Sequence, residues 1–284
     1  MKVVFSRKGF DSSYGGFPSP IFPDGTLFSV PIPDKKTSVS YGDLNFHYQG
    51  EPIQKILNDL TNQTINSGKI RSCNYFSNKF KCHLDPIIIE NKNFKGIIFG
   101  QEGKSASHLI KKKIQQGDIF LFFGWFKEVE KINGKWQYKK DSPDIHLIWS
   151  FMEVDKVIQL EDGKNLDSLL KTHPFLKKHP HVEIERKNPN IIFLSKRYKK
   201  FKLKKELILT NIDNYRCRSF WKLPKFFYQP YAFSYLKESN FIIYENSVLI
   251  ESPKIGQEFV LDLELVNKED KKRILEYLSV IVQN

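Results

Sequence analysis

The segment Gly117–Phe126, GDIFLFFGWF, constrains the fold of this chain more than any other. A run of Ile, Leu and Phe bounded by glycines is too β-prone and too sharply punctuated for a helix, so it is predicted to be a core strand. Asn133-Gly134 follows, a dipeptide suited to the two positive-φ positions of a type I′ hairpin, and Trp136 and Tyr138 return on alternate positions. Asp144 to Val154 reads as a further long strand. Strands joined in this order predict an antiparallel β-meander at the centre of the fold.

Around that centre the patterns alternate. Val3 to Phe5 predicts a first strand, and a loop through Pro33 is stiffened by Gly15-Gly16, Pro18, Pro20, Pro23 and Asp24-Gly25. Ile53, Ile56, Leu57 and Leu60 share one face of a helix predicted over Pro52 to Leu60. Ile97 to Phe99 reads as a buried strand, and Gln101 to Ser107 as a turn of small residues leading into a basic helix over Ser107 to Gln115, capped by Ser107. Beyond the meander come a short helix over Leu166 to Leu170, a loop over His173 to His181, and strands at Ile191 to Ser195 and Leu207 to Leu209. A last helix spans Lys268 to Val282, with Ile274, Leu275, Leu278 and Ile281 inward. Neither a repeat nor a linker divides the chain, so residues 1–284 are predicted to form one domain. Its class is α+β: a mixed or antiparallel sheet around a central meander, with peripheral helices.

With 40% hydrophobic residues, among them 24 Phe, 12 Tyr and 4 Trp, the chain can form a core without disulfides. Cys73, Cys82 and Cys217 are odd in number and lack a CxxC pair, which fits a reducing cytoplasm. The first residues are too short an apolar run for a signal peptide, and none of 18 apolar residues follows, so no membrane insertion is expected. The net charge of +13 draws polyanions to the surface, DNA or nucleotides first. AT-rich coding accounts for the same lysine excess in a chain so full of Asn, Ile and Phe.

Several polar groups carry candidate chemistry. Arg7, Lys8 and Asp11 follow the first strand, where Arg7 can fork onto a phosphate or simply pair with Asp11 to hold the loop. His83 and Asp85, two apart in an extended segment, can serve as base and orienter or as two metal ligands, or Asp85 can cap a turn before Pro86. The loop Gly100 to His108 offers backbone amides to an anion, with Gln101 for a base edge and His108 to assist, or is an ordinary strand-to-helix connection. Arg218 and Trp221, in RCRSFWKLPKFF, mix cation and ring as phosphate grip and stacking surface do, or close a structural turn. Gln257 and Glu258 stand at the mouth of a strand, Glu258 as acid or base or as half of a salt bridge. No metal ligand set and no cofactor follow from these spacings.

GDIFLFF, its hairpin and DIHLIWSFMEVDKVI resemble PUA-like folds of the EVE and ASCH kind, whose barrel cradles a flipped or modified base. That resemblance makes Trp125 a stacking and His146 a bonding candidate. Core packing is the other reading of Trp125 and Trp149. Taken in order, FSRKGFDSSYGGFPSPIFPDGTL, HLDP, FGQEG, GDIFLFFGWF, DIHLIW, RSFWKLP and GQEFVLD resemble the family called nucleotide modification associated domain 3, nearly end to end. Ser150 stands where the DIHLIW strand of that pattern often has glycine. The resemblance implies a protein of DNA base hypermodification systems, acting on or recognising bases in DNA, with other base-modification proteins as partners. As an enzyme it would be a transferase or hydrolase; the family carries over no catalytic residue, and Asp11, His83, Asp85 and Glu258 are the catalytic candidates on their own chemistry. A non-catalytic reader of modified bases and an enzyme of free nucleotides are the alternatives.

Overall fold

The computed structural model describes residues 1–62, 75–90, 92, 94–160, 166–184, 188–253 and 258–283. Gln257 and Cys73 lie outside the described residues. The fold is α+β, organised around a mixed sheet in the order β14 (Arg197–Lys200), β11 (Ile145–Glu153), β9 (Ile119–Ile132), β1 (Lys2–Arg7) and β18 (Glu258–Asp262). β1 runs parallel to β9, with Val3 opposite Ile119 and Arg7 opposite Phe123, and antiparallel to β18, with Ser6 opposite Glu258.

The expected core strand is β9, and burial on both faces explains why its first five residues, Ile119 to Phe123, are all apolar. Leu121 and Phe123 pack to one side with Phe5, Trp221, Phe227 and Phe259, while Phe120 and Phe122 pack to the other with Val4, Phe99 and Phe193. The hairpin expected at Asn133-Gly134 forms, with φ of 51° and 79°, and returns as β10 (Lys135–Tyr138). The meander does not continue from there. β10 has four residues and covers only the far end of β9, alongside the parallel β2 (Ser19–Ile21), so β11 comes back to pair with the first half of β9 itself. The sheet is open: no barrel of the PUA-like kind closes among the described residues.

A second, antiparallel sheet runs β12 (Lys156–Leu160), β13 (Asn190–Ser195), β8 (Lys95–Glu102) and β7 (Ile87–Glu90). Ile97, Phe99, Ile191 and Phe193 face the central sheet, together with Ala106 and Leu109 of α2 (Gly103–Lys111). Ile98, Ile192 and Leu194 face outward and are covered by Leu176, by Val182 of α4 (Pro180–Glu183) and by leucines of α3 (Leu166–Thr172). On the opposite side of the central sheet lie β15 (Phe220–Pro224), β16 (Phe241–Tyr244), β17 (Ser247–Glu251) and α5 (Lys268–Gln283). An aromatic lobe built on Phe10, Phe17, Phe22, Tyr41 and α1 (Ile53–Asn62) carries the short pairs β3 (Ile32–Pro33) with β6 (Cys82–His83) and β4 (His47–Tyr48) with β5 (Glu51–Pro52).

Four local expectations change. α2 starts at Gly103, whose φ of 58° turns the chain straight out of β8, so Ser107 lies inside the helix and bonds back to the Gly103 carbonyl instead of capping. His173 to His181 is not a loop but a 3-10 turn at Pro174–Lys178 followed by α4, because Pro174 and Pro180 both occupy first helical positions, which tolerate a missing N–H. Leu207 to Leu209 is not a strand; a 3-10 turn over Lys205–Leu207 leads into single bridges to β11 and β15. On α5, Ile274, Leu278 and Ile281 are buried while Leu275 turns to solvent.

Candidate functional site

The end of β8 is where the candidate residues meet. Gly100 and Gln101 are neighbours on that strand and serve opposite faces of the second sheet. Toward the central sheet, Gln101 Nε2 and Lys8 Nζ both approach Glu258 Oε1, Lys8 at 3.4 Å, and Lys8 also sits 4.3 Å above the ring of Phe99. Glu258 is buried, and its Oε2 has no hydrogen-bond partner among the described residues. A buried carboxylate oxygen left without a donor costs about 1–3 kcal/mol, which singles the group out.

Arg7 lies beside this pair, donating to the Pro253 carbonyl at 3.1 Å and resting against Phe123. Burial lowers its pKa and the Arg218 charge adds to that, while Asp11 and Glu258 pull the other way. His108, on α2, places Nε2 3.1 Å from Ser234 Oγ and its ring 4.4 Å from that of Tyr235. Burial and the Lys112 and Lys111 charges push its pKa down, against a hydrogen bond with the Glu258 backbone.

On the outer face of β8 a second group forms around Asp85, which continues β7 backward to lie beside Gly100. Its carboxylate is buried, and Oδ1 accepts from the Gly100 N–H at 3.0 Å. His179 Nε2 is 3.2 Å from Oδ1 without hydrogen-bond alignment; His83 Nε2 and His181 Nε2 are 3.8 and 3.9 Å from Oδ2. His83 turns its Nδ1 to Asp34 Oδ2 at 3.2 Å, and His181 turns its Nδ1 to Asn190 Oδ1 at 2.9 Å. Burial drives His181 down to about 3, against the pull of Asp85. Among the described residues, His83, Asp85 and His181 bring ligand atoms within 4.8 Å of one another, close enough to hold a metal ion.

The remaining candidates are dispersed. Asp11 spends Oδ1 on the amides of Ser13 and Tyr14 at 2.6 and 2.7 Å, which folds its own loop. Trp125 is half-buried, donates to Asp144 at 2.7 Å, and is covered by the Arg218 guanidinium 4.1 Å from its ring. Arg218 also reaches Ser12 Oγ. His146 and Trp221 are in the core, 2% and 1% exposed, where Trp221 Nε1 donates to His146 Nδ1 at 3.0 Å; neither offers a face to a ligand. Burial, then the Arg7 and Arg218 charges, pushes His146 well below its ordinary value. A surface groove of about 370 Å³ beside Ile21, Phe22 and Leu203 contains none of the candidates. His179, His181, Asn190 and Asp34 were not singled out by the sequence; the signal available was the His-Pro-His of residues 179–181, the same i, i+2 spacing as His83 and Asp85.

Among the described residues no helix is long and apolar enough to cross a membrane. Residues 2–262 match the family described as nucleotide modification associated domain 3. No curated protein and no solved structure matches the chain.

Proposed function

Since the chain belongs to the nucleotide modification associated domain 3 family, we propose that it modifies a base within DNA at the Glu258 cluster. The observation that carries this reading is the buried Glu258 carboxylate, fixed through Oε1 by Gln101 and Lys8 while Oε2 has no partner among the described residues. Such an oxygen is matched to an N–H of a base edge, which carboxylates read by accepting. As a base held in a desolvated site, Glu258 would accept a proton from that N–H, and Lys8 would compensate the charge at the other oxygen. Arg7 supplies a fork-shaped cation beside the cluster for a phosphate. Apart from that cluster, the half-buried Trp125 under Arg218 offers a stacking plate with a cation, a combination that grips extended nucleic acid.

Nucleoside mass spectrometry of DNA from cells expressing the wild type or Glu258→Gln tests the reading. A nucleoside present with the wild type and absent with the variant supports it. Binding to DNA by both proteins with unchanged nucleosides would make the chain a reader instead. Conversion of free nucleotides without DNA affinity at physiological salt would remove DNA from the proposal.

A further inference from the structure

We propose that His83, Asp85 and His181 bind a divalent first-row transition-metal ion, through His83 Nε2, His181 Nε2 and Asp85 Oδ2. The inference goes beyond the Glu258 reading and stands on separate residues, on the other face of β8. The Asp85 side chain is 2% exposed, and the one hydrogen bond its carboxylate makes among the described residues is from the Gly100 N–H. Three imidazole nitrogens surround it at 3.2, 3.8 and 3.9 Å; the last two are too long for hydrogen bonds, and the first is misaligned. An anion so buried, ringed by nitrogens yet hardly bonded, is costly unless a cation sits among them.

Asn190 Nδ2 donates to the His181 carbonyl at 2.8 Å, which fixes the amide so that Oδ1 faces His181 Nδ1 at 2.9 Å and must accept from it. With the proton on Nδ1, Nε2 of the neutral ring presents a lone pair to the Asp85 carboxylate. Two electron pairs facing each other repel; a cation between them turns the contact into two bonds. His83 is arranged in the same way, its Nδ1 directed at the Asp34 carboxylate. Imidazoles held by an acceptor at the far nitrogen and a carboxylate held by a backbone amide are the outer partners that metal ligands use.

The dimensions fit. With sides of 3.8 and 3.9 Å and a third no longer than 4.8 Å, a point equidistant from the three ligand atoms lies about 2–2.5 Å from each, close to the roughly 2.0–2.2 Å of metal bonds to imidazole and carboxylate. Two imidazoles and one carboxylate without a thiolate suit Fe(II), Mn(II), Co(II) or Zn(II), and three protein ligands leave positions for water or substrate. His179 Nε2 lies 3.2 Å from the other oxygen of Asp85, outside this triangle of ligand atoms.

The test uses the full chain, stripped with a chelator and titrated with Co(II), with bound metal counted by mass spectrometry, the Co(II) absorption followed, and the melting temperature recorded with and without the ion. The expected result is one ion per chain, ligand-field bands, and a higher melting temperature with metal. Asn190→Ala, which keeps every ligand, should weaken binding 10–100-fold, and His83→Ala, the least buried ligand, should abolish the bands. Failure of the folded wild type to bind one equivalent overturns the proposal, as do Co(II) bands that persist unchanged in a folded His83→Ala protein. None of these readouts depends on base modification, so either proposal can fail alone.

Discussion

Gly100→Ala probes the metal proposal without touching a ligand. A Cβ at Gly100 would stand 2.4 Å from His181 Cδ2, 2.6 Å from its Cγ and 3.0 Å from His179 Cε1. Ordinary contact begins near 3.4 Å, so the His181 ring must retreat by about 1 Å, whereas ligand positions in a working site tolerate only about 0.2 Å. Overpacking of this kind costs about 1–3 kcal/mol. Unfolding entropy of about 2.1 cal/mol/K per residue, over this chain, converts that to a fall of roughly 2–5 °C in the melting temperature of the metal-free protein. Calorimetry with and without Co(II) reads both effects: the variant should melt a few degrees lower and lose most of the metal-dependent rise that the wild type shows. A variant with wild-type affinity for the ion would refute the reasoning even if its stability fell, because it would mean that the imidazoles can move off Gly100 without leaving the site.

Three further outcomes are expected. Glu51 accepts from Trp136 Nε1 at 2.7 Å and from Lys131 at 3.0 Å, and it pairs with Lys55; these partners hold its carboxyl down at about 2. With the folded value below the ordinary one, the stabilisation is present above about pH 4.5 and is lost as pH falls toward 2, so Glu51→Gln should be less stable than the wild type by about 1 kcal/mol at pH 7, after screening at the exposed lysines. That gap should close in denaturant melts near pH 2. Gly15, at φ 93°, has the Phe10 ring 2.0 Å from where a Cβ would stand, so Gly15→Ala should cost roughly 2–4 kcal/mol in a denaturant midpoint. If Arg218 contacts a nucleic-acid phosphate while covering Trp125, Arg218→Ala should weaken DNA binding and reduce the salt slope by about one; an unchanged slope in a filter-binding series would remove it from the interface.

What the sequence made legible about the fold is what depends on short range. β9 was readable because a strand buried on both faces has no polar alternation to hide it, and Asn133-Gly134 because two positive-φ positions leave little else that fits. Which strand lies beside which was not. The neighbour of β11 was set by how far β10 reaches along β9, a comparison of lengths across a chain turn that no local pattern contains. Trp221 shows the complementary failure. The mixture of cations and rings around it has the composition of a nucleic-acid grip, but the strand it lies on sends Trp221 inward onto Phe123 and His146, while Arg218, outside that strand, lies over Trp125.

The Asp85 cluster was half legible, and the half that was missing follows one rule. His83 and Asp85 drew attention because an extended chain puts residues two apart on the same side, which lets both reach one ion. His179 and His181 obey the same spacing, yet Pro174 and Pro180 in the stretch from His173 to His181 predict irregular chain. Pro180 does the opposite here: it starts α4 with His179 still extended, so that both imidazoles face Asp85 across β8. The site also needs an absence, since any side chain at Gly100 would occupy the room of the His181 ring. A single His-x-Asp has many structural explanations, and so does a single His-x-His. Two such pairs in one chain, with a glycine on the strand between them in sequence, have fewer, because each pair supplies the ligands the other lacks and the glycine supplies the space in which they meet.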